Sequence, residues 1–327
     1  MTDVTPDSIF QVASGFMASK HLFVANEVGL FQHLAEGQCT LEDLSARTGI
    51  PQRRIRILAD AMVALGFVDR YGDSYRNGPV AATFLSGLTP ADLRPLLRFW
   101  NQISYPAWTQ QETSIRTGEG SFGHRSEELD KIFSEGVEAI TAGTAEALAT
   151  TYNFGQHHRI LDLGGGTGSF LLAVLRHHAG LKTTLFEMPA AAALARTRIV
   201  NTPLEHLVQI VEGDFFTDPL PEGHDAIILA NVIHLFSPEH NLALLQRIRE
   251  RVPDGARLLL VDFWTDPTHT QPTFAALLAG EFQIVTGEGA AYSEEDLRGW
   301  LQESGWQAME RLPLAGPASL ITARTVS

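Results

Sequence analysis

The chain has one cysteine, Cys39, among its 327 residues. It can form neither an intrachain disulfide nor a cysteine-based metal cluster. Charge is sparse as well: 19% of residues are charged against 44% hydrophobic. That balance excludes a disordered chain and leaves enough apolar surface for a proper core. Basic residues are outnumbered, 24 to 38, for a net charge of −14, which opposes nucleic acid and anionic membrane surfaces as partners. No apolar run approaches the ~18 residues of a membrane span. The start, Met1-Thr2-Asp3-Val4, has neither the basic region nor the apolar core of a signal peptide, so a cytoplasmic protein is expected. There is no internal repeat or low-complexity stretch. At roughly 150 residues per domain the length suggests about two domains, and the charge is divided to match. Residues 1–100 hold nine Lys/Arg and ten Asp/Glu, a net of −1, which leaves −13 for residues 101–327.

What is present begins with short helices. Thr40-Leu41-Glu42-Asp43 has the form of a capping box, with an acid at the third helical position. A second helix is predicted from Gln52 to Leu65, with Ile55, Leu58, Ala59, Met62 and Leu65 on one face. Phe67–Tyr71, Gly72-Asp73 and Ser74–Arg76 then read as strand, turn, strand. Helix-turn-helix followed by a hairpin is a winged helix. Arg53, Arg54 and Arg56 are compatible with DNA binding, but the net charges of the segment and of the chain favour a protein–protein module. Residues 91–155 read as a helical connector, with helical spacing at Leu93, Leu96, Leu97 and Trp100 and a helix start at Ser126-Glu127-Glu128.

From Arg159 the pattern becomes alternating strands and helices. Ile160–Leu163, Thr183–Glu187, Leu207–Val211, Ala226–Ala230 and Arg257–Asp262 are short apolar runs separated by helical stretches. Such runs form a parallel sheet covered on both faces. A last strand, Ser319–Arg324, follows Gly316-Pro317 and is expected to pair as a hairpin.

The strongest local motif is Asp162-Leu163-Gly164-Gly165-Gly166-Thr167-Gly168, between a strand and a helix. Both possible registers of a dinucleotide fingerprint fail, with Ser169 or Leu171 in place of the last glycine. A nicotinamide dehydrogenase is therefore disfavoured, and without Gly-Lys-Ser/Thr there is no P-loop. The pattern D-x-G-x-G-x-G remains. Its glycines let backbone approach a ligand, and its carboxylate suits an ammonium or sulfonium better than a pyrophosphate. Glu187, at the end of the second strand, can accept from ribose hydroxyls. Gly213-Asp214-Phe215-Phe216, after the third, supplies an acceptor and an aromatic for a base. Three successive strand ends thus carry chemistry suited to adenosine.

With these motifs in order, the sequence resembles the S-adenosylmethionine-dependent O-methyltransferases that act on small molecules and carry an N-terminal winged-helix dimerisation domain. The plant caffeic-acid-type, acetylserotonin-type and bacterial tailoring enzymes are of this kind. The resemblance covers nearly the whole chain, including the Trp108 connector, Phe186-Glu187-Met188-Pro189 and Tyr292-Ser293. It implies an α/β fold: a doubly wound Rossmann-like sheet of seven strands, the last antiparallel, behind a mostly helical winged-helix domain. The implied domains are 1–90 for dimerisation, 91–155 as a connector contributing to the substrate pocket, and 156–327 for S-adenosylmethionine. The implied activity is methyl transfer to a hydroxyl of an aromatic or polyketide-like acceptor in secondary metabolism, by a homodimer.

The resemblance also assigns residues. Asp162, Gly164, Gly166 and Gly168 would face the methionine part of the cofactor, Glu187 the ribose, and Met188, Asp214 and Phe215 the adenine. Asn231 falls where many relatives carry Lys, and Tyr152 would reach the cofactor carboxylate. Trp100, Tyr105, Trp108, Phe133, Phe274, Glu281 and Phe282 lie in segments that wall the substrate pocket in relatives. The family's general base is the His of a His-Asp-Trp triplet, and here His234 is followed by Leu235 and Phe236. An imidazole titrates near neutral pH and can take a proton from an attacking phenol or enol. In relatives a Glu in a Gly-x-Glu-Arg-Thr segment orients that His. The matching stretch, Gly289–Ser293, has Ala291 at the acidic position, so the orienting carboxylate is unassigned, with Glu281 and Glu288 as possible substitutes. The altered triplet motivates an alternative: carbon or nitrogen methylation, or a relative that binds the cofactor without transferring methyl. A ligand-sensing transcription factor rests on the winged helix alone. No metal site is expected, and the doublets His157-His158 and His177-His178 read as surface pairs.

Overall fold

The computed structural model describes residues 4–121, 126–200 and 202–326. They form two compact units, Met1–Pro106 with Ser126–Ile140 and Ala107–Arg125 with Thr141–Ser327. The stretch 91–155 contributes residues to both units. Among the described residues no helix is long and apolar enough to cross a membrane.

In the first unit a long helix, Asp7–Glu27, precedes a helix-turn-helix of Leu41–Thr48 and Gln52–Ala64. The capping box forms as expected: the Asp43 amide donates to Thr40 Oγ1 at 3.1 Å, and the Thr40 amide donates back to Asp43 at 3.0 Å. Gly49 ends the first of the pair in the left-handed region. The wing has three strands: β1 (Cys39–Thr40), β2 (Val68–Tyr71) and β3 (Ser74–Asn77), in the order β1-β3-β2, all antiparallel. Ile55, Leu58, Ala59 and Met62 are buried against Leu30, Phe31, Leu44, Val68 and Tyr75, whereas Leu65, expected on the same face, caps the helix end and is 41% exposed.

The second unit is built on seven strands: β4 (Arg159–Leu163), β5 (Lys182–Glu187), β6 (Val208–Glu212), β7 (Ala226–Ala230), β8 (Arg257–Asp262), β9 (Trp306–Pro313) and β10 (Ser319–Thr325). Their order is β6-β5-β4-β7-β8-β10-β9. The first five are parallel, and β10 is antiparallel to both β8 and β9. The pleat sends alternate residues to opposite faces. Ile160, Ile228, Leu259 and Val261 join a core with helix Ser169–His177. Leu161, Leu163, Ile227, Leu229 and Leu258 join a second core with helices Pro238–Arg249 and Glu294–Glu303. Every one of these nine side chains is buried, each contributing roughly 1.5–3 kcal/mol of transfer free energy. The strand order reverses at β4, whose neighbours are β5 and β7. A crevice at the carboxyl ends of strands where the order reverses is where doubly wound sheets bind ligands.

Candidate functional site

The loop after β4 is shaped by glycine. Gly164, Gly166 and Gly168 all have positive φ, at 71°, 58° and 83°. A Cβ on Gly164 would lie 3.1 Å from Val232 and 3.3 Å from the Phe215 ring. Gly164 thus joins the segments after β4, β6 and β7 in one place. A Cβ on Gly165 would collide with the Asp162 carboxyl group and come within 2.5 Å of Leu185, so the loop backbone lies directly over Asp162. Arg198, in the helix following β5, donates to Thr167 Oγ1 at 2.9 Å and Ser169 Oγ at 2.7 Å, bracing the loop from outside.

Two carboxylates serve this loop differently. Glu187 accepts the Gly166 amide at 2.9 Å and the Met188 amide at 2.7 Å. Burial raises its pKa, and those two amides pull the other way. Asp162 is fully buried, and neither of its carboxylate oxygens has a hydrogen-bond partner among the described residues. Burial pushes it up to about 8, the Glu187 carboxylate adds to the push, and the Leu171 backbone opposes it. The Leu171 amide is too poorly placed to count as a hydrogen bond, and a buried carboxyl so weakly served is costly as an anion, which favours its protonated form.

After β6, Asp214 is committed to its own turn. Its Oδ1 accepts the Phe216 amide at 2.8 Å, and its amide donates to Asp218 at 2.8 Å. Phe215, Phe216 and Phe236 pack edge to face in a cluster, with ring centroids 4.9 to 5.7 Å apart. Phe236, which stands where relatives carry Trp, is thereby a packing residue. Met188 is half exposed at the end of β5. Asn231 takes a left-handed φ of 57°, and its amide donates to Val261 O.

His234 sits in a single turn, Ile233–Leu235, just beyond β7, and is buried. Its Nδ1 lies 2.7 Å from Asp262 Oδ1, and its own amide donates to Asp262 Oδ2 at 3.3 Å. Asp262 ends β8, is 2% exposed, and also accepts the Phe263 amide at 2.8 Å. The carboxylate against the His234 ring is therefore Asp262, the last residue of the strand adjacent to β7. Glu288 pairs with His240 at 2.9 Å, and Glu281 accepts from Trp108 Nε1, so neither substitutes. The polar end of the apolar run Arg257–Asp262 was the available signal for Asp262. With the proton on Nδ1, this contact is a hydrogen bond to the carboxylate and Nε2 is the acceptor nitrogen. Asp262→Asn preserves the shape but can present its amide to Nδ1. We expect kcat to fall about 100-fold or more with little change in KM, measured by steady-state kinetics. An unchanged kcat would remove the dyad from catalysis.

The remaining expected residues are distributed as follows. Phe282 stacks on the His234 ring, with centroids 3.7 Å apart and planes at 13°. Phe274, partly exposed, meets Phe263 edge on. Trp108 is fixed by Glu281 and by close contact with Gly280. Trp100, Tyr105 and Phe133 belong to the first unit: Trp100 and Tyr105 pack on its core, and Phe133 packs on Phe99. Tyr152 is a correction. It precedes β4 and consequently lies at the amino-terminal edge of the sheet. There its hydroxyl bonds His157 Nε2 at 2.9 Å and Gln156 at 3.1 Å. The charges that act on it come from Arg257, Glu310 and Asp225, the first two being a strand's first residue and the outer strand, and burial pushes its pKa up to about 12. It cannot reach the glycine loop at the opposite strand ends. His157 is likewise buried against it and is not a surface residue.

Two family models match the chain: an O-methyltransferase dimerisation domain over residues 10–87 and an O-methyltransferase domain over residues 111–307. The chain is similar to the tetracenomycin polyketide synthesis 8-O-methyl transferase TcmO of Streptomyces glaucescens, 29% identical over 98% of this chain and 96% of that one. It is similar to the N,N-dimethyltransferase OxyT of Streptomyces rimosus, 30% identical over 93% and 91%. Among solved structures it is similar to PigF with S-adenosylhomocysteine, with TM-score 0.86, 26% identity, and coverage of 98% of this chain and 100% of that one.

Proposed function

We propose, for a chain that belongs to the S-adenosylmethionine-dependent O-methyltransferase family, that its acceptor is a flat, apolar small molecule, aromatic or polyketide-like, methylated on a hydroxyl whose proton passes to His234. The observation that carries this reading is the buried His234–Asp262 pair at 2.7 Å beside the strand ends. It holds one nitrogen of the imidazole against a carboxylate. The non-methylating alternative is not favoured, because it has no use for such a base.

The cradle fits S-adenosylmethionine on two counts. The glycine loop leaves room that a side chain would fill, and the buried, unpartnered Asp162 carboxyl suits a cationic ligand. In this reading Gly164, Gly166 and Gly168 take the methionine portion, Glu187 exchanges its amide partners for ribose hydroxyls, and Met188, Asp214 and Phe215 border the adenine. Asn231 lines the same crevice. When bound, S-adenosylmethionine supplies an electrophilic methyl group. His234 Nε2 accepts the acceptor's hydroxyl proton. Asp262 holds the imidazole by its Nδ1–H and stabilises the imidazolium that results. Phe263, Phe274 and Trp108 exclude water and present apolar surface to the acceptor. The test is incubation with S-adenosylmethionine and a panel of phenolic and polyketide acceptors. The expected product is heavier by about 14 Da, the mass of CH2, with the methyl on oxygen by NMR. A methyl on nitrogen or carbon, or no gain in mass, would contradict it.

We further propose a cytoplasmic homodimer, with residues 1–90 for pairing, 91–155 as connector and 156–327 for the cofactor. Pairing is supported by an apolar groove of about 480 Å³ between the long first helix and the helix Gln52–Ala64, lined by Phe16, Met17, Val24, Ile57 and Leu58. Phe16 and Ile57 are 53% and 62% exposed, and Ile9, Phe10 and Val12 extend the apolar face. A contiguous patch of this kind marks an interface. Phe16→Glu with Ile57→Glu is expected to convert the dimer to monomer in sedimentation velocity. A dimer that survives both changes would place the interface elsewhere.

A further inference from the structure

We propose that Phe282 is a positioning residue for His234, setting the plane of the imidazole as Asp262 sets its edge. This rests on the reading of His234 as the base. The two rings lie nearly parallel, at 13°, with centroids 3.7 Å apart. No other aromatic pair in the described residues is so close or so nearly coplanar with His234; Phe263 stands 6.3 Å away and tilted by 36°. Phe282 is itself buried and lies in the helix Thr273–Thr286.

The backbone around the pair is built for this approach. A Cβ on Gly289 would lie 2.6 Å from His234 O and 2.9 Å from Phe282 O, so only glycine lets the helix end and the His234 turn draw together. Thr286 Oγ1 ties the arrangement by donating to Phe282 O at 3.2 Å and accepting the Gly289 amide at 2.8 Å. The Ala290 amide donates to His234 O at 3.0 Å. One hydrogen bond from Nδ1 still allows an imidazole to pivot about that bond. A flat ring against its face removes the pivot and fixes where Nε2 points. Small errors in such direction are costly to proton transfer.

The experiment compares Phe282→Leu, which keeps bulk but not the flat face, with Phe282→Tyr, which keeps the ring. S-adenosylhomocysteine binding by calorimetry verifies that each variant is folded, and Phe282→Met replaces the leucine variant if that one melts early. For Phe282→Leu we expect kcat to fall about tenfold, with the KM of acceptor and cofactor within about twofold. Phe282→Tyr is expected to recover most of the loss. In the free enzyme, the His234 Nδ1–H proton resonance is expected to be sharp in the wild type and broadened in Phe282→Leu. A wild-type kcat in Phe282→Leu would overturn the proposal. So would a loss confined to the acceptor KM, which would make Phe282 a wall of the substrate pocket instead. The resonance is read without turnover, so it decides the positioning role even if no acceptor is methylated and the base assignment fails.

Discussion

Replacing His234 with alanine is expected to lower kcat by about 10²–10⁴, the usual contribution of a general base, while S-adenosylhomocysteine affinity stays within about twofold. In free-energy terms that is about 3–5 kcal/mol of transition-state stabilisation. The prediction separates chemistry from binding because His234 stands beyond β7 whereas the glycine loop and Glu187 belong to β4 and β5. Folding should survive the change. Asp262 keeps the amides of residue 234 and Phe263 as donors, so its carboxylate is not left bare when the imidazole is removed. Steady-state kinetics beside calorimetry checks both halves. Equal loss of affinity and turnover would mean that His234 supports the cradle, and no loss would remove it from the mechanism.

Asp162→Asn is expected to stabilise the ligand-free protein at pH 8 and to weaken cofactor binding at least tenfold. The folded-state pKa, about 8, lies above the ordinary aspartate range. Between pH ~4 and 8 the folded chain therefore holds a proton that the unfolded chain has released. Stability in that window falls as pH rises, by at most about 1.4 kcal/mol per pH unit for one proton. Asparagine has no charge to bury and removes the slope. Thermal melts should show the wild type losing more stability than the variant between pH 6 and 8, with a gap of about a few kcal/mol at the upper end. Parallel melting curves would show that Asp162 is compensated by a partner. The cofactor arm tests the converse, that a carboxyl destabilising in the free protein is retained for a cationic ligand.

Much of this site was legible because strand ends advertise themselves. A continuous apolar run that stops at Asp162, Glu187 or Ala230 must stop at the edge of a buried sheet, and the residues just beyond have no packing task that explains their polarity. Asp214 and His234 stand just beyond strand ends in the same way. Asp262 closes its run identically, but nothing in the run itself tells which neighbouring strand end it faces. Pairing between β7 and β8, which sets Ala230 beside Val261, brings His234 and Asp262 together, and no spacing in the sequence encodes that adjacency. Tyr152 failed for a simpler reason. A residue shortly before a parallel strand sits at that strand's entry, across the sheet from the glycine loop. Strand β9 escaped notice since Gln307, Glu310 and Arg311 interrupt its apolar pattern and Pro313 ends it, which an edge strand tolerates. The long first helix was also missed. Its apolar residues are largely exposed in the single chain and do not follow the one-sided pattern that reveals a core-facing helix.

Removal of the acceptor's proton by His234, held by Asp262, is tested most directly by measuring kcat/KM at one pH for a series of phenolic acceptors of graded acidity, in the wild type and in His234→Ala. With a base in place, the rate should depend weakly on acceptor pKa. Without it, only acceptor already ionised in solution can react, so the variant's rate should fall about tenfold for each pKa unit above the working pH. The most acidic acceptors should then react at nearly the same rate with both enzymes, and the least acidic should react hundreds of times faster with the wild type. Parallel dependences, with a constant ratio between the two enzymes across the series, would contradict the account.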